Sequence, residues 1–568
     1  FVSYHCFGHQ LLLPIPDVDR TDFLLMMGAN PAASNGSLMS AGDIKRRIKG
    51  IGARGGTVVL VDPRRTPSAA LCTEHQFIRP GTDALLLASL LWCLFDEDLV
   101  DENGLPDWIV GVSQIRAGLA VFSPEAVSAP TGIPADTIRS LARRFAAAPR
   151  AVAYGRMGLS TQAFGATCQW LLLVLNAVTG NLDRAGGAMF TKPAVDIVRG
   201  VAGITRQGSH GRWTSRVRGL AEFGGELPVA TLAEEISTPG KGQVRGMLVV
   251  AGNPVLSTPA GHQLDKALDS LDFMVSLDPY INETSRHASI ILPPSGPLSR
   301  DHFDLAFNAL AVRNVAKWSP PMCARGPGER HDWEILIGLE ARLSRQHGLA
   351  ARISRQVRAR IGPTGMLDFA LRTGPYGGRW KVWGGMSMAT LKAHPHGLDL
   401  GALEPALPGR LYTTNKRVLL APDVLLADLP RLREAMETPP TLVMIGRREL
   451  RSNNSWMHNS QRLVKGKPRC TLHVHPDDAD RLGLRDGADV RVRSRVGEVV
   501  VPVAITDTVM AGVVCLPHGW GHGRQGVRMA VASAHAGVSM NDLTDPLVVD
   551  AVSGNAVLNG VPVEVSPA

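Results

Sequence analysis

Four short stretches of this sequence combine small residues, amides and acids in a pattern suited to gripping an anionic ligand. In MGANPAASNGS (residues 27–37) the small side chains let a backbone approach a phosphate, and Asn30, Ser34 and Asn35 offer hydrogen bonds. A plain strand-to-helix loop would read the same way. VDPRRT (residues 61–66) places Asp62 at a strand end, where an acid grips ribose hydroxyls or a guanine edge, with Arg64 and Arg65 set to meet phosphate. Its plainer reading is a helix cap beside surface arginines. VAGNPVLSTP (residues 250–259) echoes the first stretch, and SLDPYINETSRHASIILPPSG (residues 276–296) repeats the second, with Asp278 at the strand end. The pairing says more than any one motif. GANP at Gly28 and GNP at Gly252 each follow an apolar run, and each is followed by a strand ending in an aspartate. Two similar nucleotide-binding halves imply two nucleotides or one pseudo-symmetric dinucleotide.

Other residues could carry chemistry beside such a ligand. His458, in SWMHN, and His518 and His522, in PHGWGH, suit proton transfer, because imidazole titrates near neutrality. A structural, hydrogen-bonded histidine is the alternative at each. Trp456 and Trp520 read as packing residues, and Arg199, in IVRG, as a candidate contact to an anionic substrate. Cys6 offers a thiolate for a metal.

These loops need strands and helices to hold them. DFLLMMG (residues 22–28) and TVVLVDPRRT (residues 57–66) read as buried parallel strands, separated by the helical SAGDIKRRIKGIGARGG. PGTDALLLASLLWCLFDEDLVD follows as a loop and a long helix. Such alternation predicts a doubly wound parallel sheet over residues 1–150, with ligands at the carboxyl ends of its strands. A second α/β set opens at AVAYGRMG (residues 151–158), takes in the strands VRGMLVVAGNP, DFMVSLD and SIILPPS, and runs to residue 400. Residues 401–440 read as irregular connection. From residue 441 onward short β-rich runs between turns predict a compact β-barrel to residue 568.

Bulk composition narrows the classes. A chain of 568 residues suggests about three or four domains. The net charge is +9, but the arginines are scattered, with no long Lys/Arg block, which speaks for a large anionic cofactor and against nucleic acid. None of the seven cysteines forms a CxxC pair, which excludes a zinc ribbon and a complete iron–sulfur motif within this chain. No run of 18 apolar residues is present, so no membrane span is expected. FVSYHCFGHQ reads as the interior of a longer protein.

The ordered set GANPAASN, VVLVDPRRT, FIRPGTDALLLASL, YGRMGLSTQ, VLNAVTGNLDRAGGAMF, AGNPVLSTP, SIILPPS, IGRRELRSNNSWMHN and MNDLTDP resembles the molybdopterin oxidoreductase family, of the dimethyl-sulfoxide-reductase and formate-dehydrogenase type, across nearly the whole chain. The resemblance implies a bis(molybdopterin guanine dinucleotide) cofactor holding molybdenum or tungsten, its two guanosine tails in two related α/β domains. It also implies which residues bind. Gly28, Asn30, Ala32 and Ser34 would line the first dinucleotide, with Asp62, Arg64 and Asp83 at its nucleoside and phosphates. Met157, Gly158 and Gln162 match the loop near pterin and metal, and Asn253, Asp278, Arg300 and Asp332 match contacts to the second dinucleotide. In the last domain Gly446, Arg447, Leu450, Ser452, Asn453, Asn454 and Asn541 match the pterin-binding segments. His458, His518 and Arg199 stand as the catalytic candidates; no metal ligand is assigned. Cys6 lies about 22 residues before GANP, closer than the family's metal ligand.

The implied activity is two-electron redox of a small substrate, formate-dehydrogenase-like or nitrate/thiosulfate-reductase-like. A [4Fe–4S] cluster in an N-terminal segment outside this sequence would pass electrons to a partner protein or subunit. A non-redox hydratase on the same cofactor, or a metal-free relative of the large iron–sulfur subunit of respiratory complex I, are the alternatives; the pterin-contact motifs argue against the latter. Cofactor loading in the family implies a cytoplasmic location.

Overall fold

The computed structural model describes residues 1–36, 38–199, 207–343, 348–378, 385–436 and 442–568. Four parallel strands form the first sheet: β1 (Phe23–Met27), β2 (Thr57–Val61), β3 (Glu74–Gln76) and β4 (Ala151–Gly155), in the order β3-β2-β1-β4. The register runs Phe23 to Thr57 and Met27 to Val61 on one side, and Phe23 to Ala151 and Met27 to Gly155 on the other. Every residue of β1 and β4 is buried, as expected of strands that carry helices on both faces. Helices α1 (Asp83–Asp96) and α2 (Gly165–Val178) are apolar on nearly all sides and share the sheet's core.

Two sequence boundaries do not match this packing. AVAYG, read as opening the second α/β set, instead pairs along the whole of β1. Without it the inner strand FLLMM would present an unpaired apolar edge. Residues 401–440, read as irregular connection, supply Leu403, Leu411, Val418, Leu420, Leu425, Leu429 and Leu432 to the first core. They lack a period because they pack as short pieces: Val418–Leu419 pairs in parallel with Ile109–Val110, and Leu420 accepts the Trp170 indole N–H at 2.6 Å.

The second sheet is smaller. β5 (Gly246–Val250), β6 (Phe273–Leu277) and β7 (Ile290–Ile291) are parallel, with Leu248 opposite Val275 and Val275 opposite Ile290. One face packs on the helix Gly261–Leu268 through Val249, Met274, Leu264 and Leu268. The other face is open among the described residues, with Leu248, Val250, Phe273 and Ile290 each 45–50% exposed. Among the described residues this sheet has its apolar cover on one side.

The last domain is a curled sheet of β8 (Val443–Arg447), β9 (Leu472–Val474), β10 (Asp489–Arg493), β11 (Glu498–Ile505), β12 (Val513–Pro517), β13 (Val561–Pro562) and β14 (Glu564–Pro567). β13 pairs with β8, and β14, following it directly, pairs with β10 at the other end of the sheet, so the final segment joins the two edges. Alternation places Val490 and Val492 inside with Arg491 and Arg493 outside. Both α/β units touch this domain. Arg65 N–H donates to Thr508 O at 2.7 Å, and Asn541 Nδ2 donates to Leu256 O at 2.7 Å.

Candidate functional site: a cleft between two matched turns

The two Asn-Pro turns are built alike. At the end of β1, Gly28 has φ 52° and its N–H donates to Val61 O at 3.1 Å; at the end of β5, Ala251 has φ 51° and its N–H donates to Leu277 O at 3.0 Å. Asn30 then accepts the Ser68 hydroxyl at 2.7 Å, and the same Ser68 Oγ accepts Ala32 N–H at 3.0 Å. In the second unit Asn253 accepts the Thr284 hydroxyl at 2.7 Å, and Thr284 Oγ1 accepts Val255 N–H at 3.1 Å. The aspartates match too: Asp62 accepts Arg64 N–H and Asp278 accepts Tyr280 N–H, both at 2.9 Å. Each is an acid folded back on the turn that follows its strand, a local device open to Asp at such positions.

The first turn also has a glycine contact. A Cβ on Gly28 would lie 2.8 Å from Gly158 Cα, and one on Gly158 would lie 2.6 Å from Gly28 Cα. Two backbones at adjacent strand ends therefore touch, which only glycines permit.

Both turns open into one cleft of about 520 Å³ between the α/β units and the last domain. Of the residues singled out in the sequence, Gly28, Asn30, Ser34, Asp62, Arg64, Asp83, Met157, Gly158, Asn253, Gly446, Asn454, Asn541 and His518 line it. Others stand behind its walls. The Gln162 amide donates to Asp83 Oδ2 at 2.9 Å and to Gly158 O at 2.8 Å, while its Oε1 is buried and unpartnered. Ala32 and Asp278 are buried within their turns. His458 and Ser452 are buried and bonded to each other, His458 Nε2 to Ser452 Oγ at 2.8 Å.

A third group lies away from the cleft. Arg447 is buried on the far side of β8, where its guanidinium bonds the carbonyls of Arg469, Thr471 and Cys515 at 2.8–3.1 Å. Strand alternation explains it: Gly446 and Arg448 face the cleft and Arg447 faces the opposite way. Leu450 is 65% exposed, and Asn453 is exposed in a left-handed turn with φ 42°. Arg300 pairs with Asp332, so each satisfies the other outside the cleft. Arg199 is exposed and its N–H donates to Asp196 Oδ1 at 3.1 Å; among the described residues it is not one that lines the cleft. Cys6 is buried in the first core, its thiol pushed far up by burial.

The cleft also holds residues that the sequence did not single out: Arg156, Thr161, Arg448 and Asn559. Asn559 Nδ2 donates to Thr161 Oγ1 at 2.7 Å and its Oδ1 accepts Gly446 N–H at 2.9 Å, joining the last domain to the first unit. Trp456, read as packing, is 48% exposed at the cleft wall. Arg64, Arg156 and Arg448 bring three guanidinium groups to the cleft, a chemistry suited to phosphates. Burial raises Asp62 to about 7 and Asp83 to about 6. Each accepts one hydrogen bond, from Arg64 N–H and from the Gln162 amide, and further donors would favour its charged form. Burial lowers His518, leaving it neutral near pH 7 and able to accept a proton. A separate, largely apolar cavity of about 250 Å³ beneath β4 gathers none of these groups.

No helix among the described residues is long and apolar enough to cross a membrane. Comparison with known proteins agrees with the geometry. A family described as Molybdopterin oxidoreductase matches residues 1–339, and one described as Molydopterin dinucleotide binding domain matches residues 442–562. The chain is 22% identical over 520 residues to the F420-dependent formate dehydrogenase 1 subunit alpha of Methanococcus maripaludis, covering 89% of this chain and 72% of that one. It is 22% identical over 531 residues to the assimilatory nitrate reductase catalytic subunit of Bacillus subtilis, covering 89% and 71%. The solved acetylene hydratase from Pelobacter acetylenicus shares the fold, with a TM-score of 0.77 and 18% identity over all of this chain and 80% of that one. The first of these families alone spans more than half of the residues, and the chain belongs to the molybdopterin oxidoreductase family.

Proposed function

We propose that the cleft holds a molybdenum or tungsten bis(molybdopterin guanine dinucleotide) and that the protein uses it for two-electron redox of a small substrate, of the formate- or nitrate-like class. The observation that carries this is the pair of matched turns opening into one cleft, since a cofactor with two equal dinucleotide arms needs two equal cradles. The residues present fit such a group. Gly28 and Gly158 leave no room for side chains at the first turn, so backbone can approach a phosphate there. Asp62 and Asp83, each raised by burial despite one hydrogen bond, can take further donors, and three arginines offer cations to two pyrophosphates.

In this reading Asp62 holds the first nucleoside, Arg64 and Arg156 meet its phosphates, and Asn253 with Ser257 holds the second arm. Gly446, Arg448, Asn454 and Asn541 close the cleft from the last domain. When bound, the group supplies the two-electron exchange. The chain supplies position, a wall against water and a base: His518 Nε2 lies 3.2 Å from Asn454 Oδ1, which keeps its ring turned to the cleft wall. Electron transfer through a [4Fe–4S] cluster to a partner subunit is part of the same reading, supported by relatives named as alpha subunits.

The test is to express the full-length reading frame under molybdate and measure molybdenum, tungsten, iron and acid-released GMP. About one molybdenum or tungsten and about two GMP per chain, with dye reduction by formate or dye oxidation by nitrate, are expected. Purified protein without metal or GMP, from a host that makes the cofactor, refutes the reading.

A further inference from the structure

We infer that Glu283, His522, His458 and Ser452 form a buried proton relay, joining the second α/β unit to the loop of the last domain that borders the cleft. The chain of bonds is continuous. Glu283 Oε1 lies 2.8 Å from His522 Nδ1, His522 Nε2 lies 2.9 Å from His458 Nδ1, and His458 Nε2 lies 2.8 Å from Ser452 Oγ. All four residues are 3% exposed or less. Glu283 Oε2 accepts Asn253 Nδ2 at 2.7 Å, so one end of the relay fixes an amide in the cleft wall. The other end is two residues from Asn454 and three from Ser455, which also line the cleft.

Chemistry fixes the direction of each bond. Burial acts to raise Glu283, but the hydrogen bonds it accepts from His522 and Asn253 act against it, and the carboxyl is held low and ionised. Burial, aided by His522, lowers His458 to about 3, so that ring is neutral. An ionised Glu283 only accepts, so His522 donates from Nδ1. When the Nδ1 proton is the only one on the His522 ring, Nε2 accepts from His458 Nδ1, and His458 Nε2 accepts from the Ser452 hydroxyl. Every proton then points toward Glu283.

A second arrangement is one proton away. A proton taken up from solvent arrives at Ser452 Oγ, whose own proton passes to His458 Nε2, and the Nδ1 proton of His458 passes to His522 Nε2. The product is a His522 imidazolium against the Glu283 carboxylate, with a net gain of one proton and no change in electrons. His458 ends with its proton on Nε2, donating to Ser452. The titratable neighbours acting on the relay are His518, beside His458, and Asp278, beside Glu283. The matched first turn has no such partner, because Pro67 precedes Ser68 where Glu283 precedes Thr284.

Glu283, His522 and His458 are thus positioning residues that can store a proton for redox in the cleft; only that destination rests on the cofactor reading. The test is nitrogen-15 histidine NMR of the full-length protein between pH 5 and 9, with ring signals assigned by single His→Gln variants. His522 charging and a His458 change from Nδ1–H to Nε2–H should share one midpoint. Glu283→Gln should lower that midpoint by at least one pH unit, a tenfold loss of proton affinity, and leave His518 in place. Should that variant misfold, Ser452→Ala should slow exchange of the two ring protons with solvent at least tenfold while the switch persists. A His458 ring that keeps one tautomer throughout, or an exchange rate untouched by Ser452→Ala, overturns the relay. GMP measured on the same sample tests the cofactor separately: a coupled switch in a chain without GMP upholds the relay and sinks the cofactor reading.

Discussion

In the first α/β unit the strand behind the Asn-Pro turn is buried on both faces, whereas in the second the equivalent strand leaves Leu248 and Val250 each 45% exposed. The turns themselves match bond for bond: a left-handed residue at the same place, an asparagine carbonyl on a hydroxyl, an aspartate on a following amide. Turn geometry is therefore set by local hydrogen bonds and not by the depth of the core beneath. What differs is how each turn is secured. The first uses a glycine contact between adjacent strand ends, and the second uses a carboxylate that reaches into the last domain.

The largest effect should come from breaking the glycine contact. Gly28→Val forces a branched side chain into φ 52° and onto Gly158 backbone at 2.8 Å, where nothing flexible can move aside. A loss of at least about 3 kcal/mol is expected, from left-handed strain and overpacking together. Denaturant unfolding reads it, and GMP content should fall below two per chain. In the second unit Ala251 already carries a Cβ at φ 51°, so Ala251→Gly should cost nothing or stabilise by up to about 1 kcal/mol. Equal losses at both positions would break the comparison.

Asp62 should give the next effect, and it depends on pH. Its folded-state value near 7 lies above the ordinary 3.8. Between those values the unfolded chain gives up the proton while the folded chain keeps it, so stability falls as pH rises from about 4 to about 7. In the cofactor-free protein Asp62→Asn should remove this slope and add roughly 2–4 kcal/mol at pH 8. Thermal unfolding at pH 5 and pH 8 measures it. A variant as pH-sensitive as the parent would show that Asp62 is not the buried acid responsible.

These positions also show what could be read in advance. The apolar runs ending in GANP and AGNP, and the doubling itself, were legible because a parallel strand and its ligand turn are local features. One neighbour of β1 was not: nothing in AVAYG says that it lies beside FLLMM rather than in a later sheet. The cleft was legible in its glycines and acids and missed in Arg156, Arg448 and Asn559, which arrive from distant segments. Arg448 had a signal. In IGRRE only alternate residues share a face, and parity with Gly446 selects Arg448 over Arg447. Glu283 lay within SLDPYINETS, but its partner His522 is 239 residues away.

A smaller pair of changes sharpens the match between the turns. Ser68→Ala and Thr284→Val each remove one buried hydroxyl that serves both an asparagine and a backbone N–H. Each should cost about 1–3 kcal/mol, because the donor and acceptor left behind are desolvated. Thr284→Val should also disturb the Asn253 amide held by Glu283, so its loss should be the greater of the two in denaturant unfolding.

The smallest effect is expected where the two sheets differ most. Leu25, buried in β1, should cost about 2–5 kcal/mol as Leu25→Ala, whereas Leu248→Ser on the open face of β5 should cost under about 0.5 kcal/mol. Strand pairing at position 248 uses backbone only, and a half-exposed leucine recovers water where a buried one leaves a cavity. Unfolding of the full-length protein and its two variants decides the matter. A loss above about 2 kcal/mol for Leu248→Ser would mean that this face is covered in solution, making the second sheet as enclosed as the first and reducing the difference between the units to the way each turn is tied.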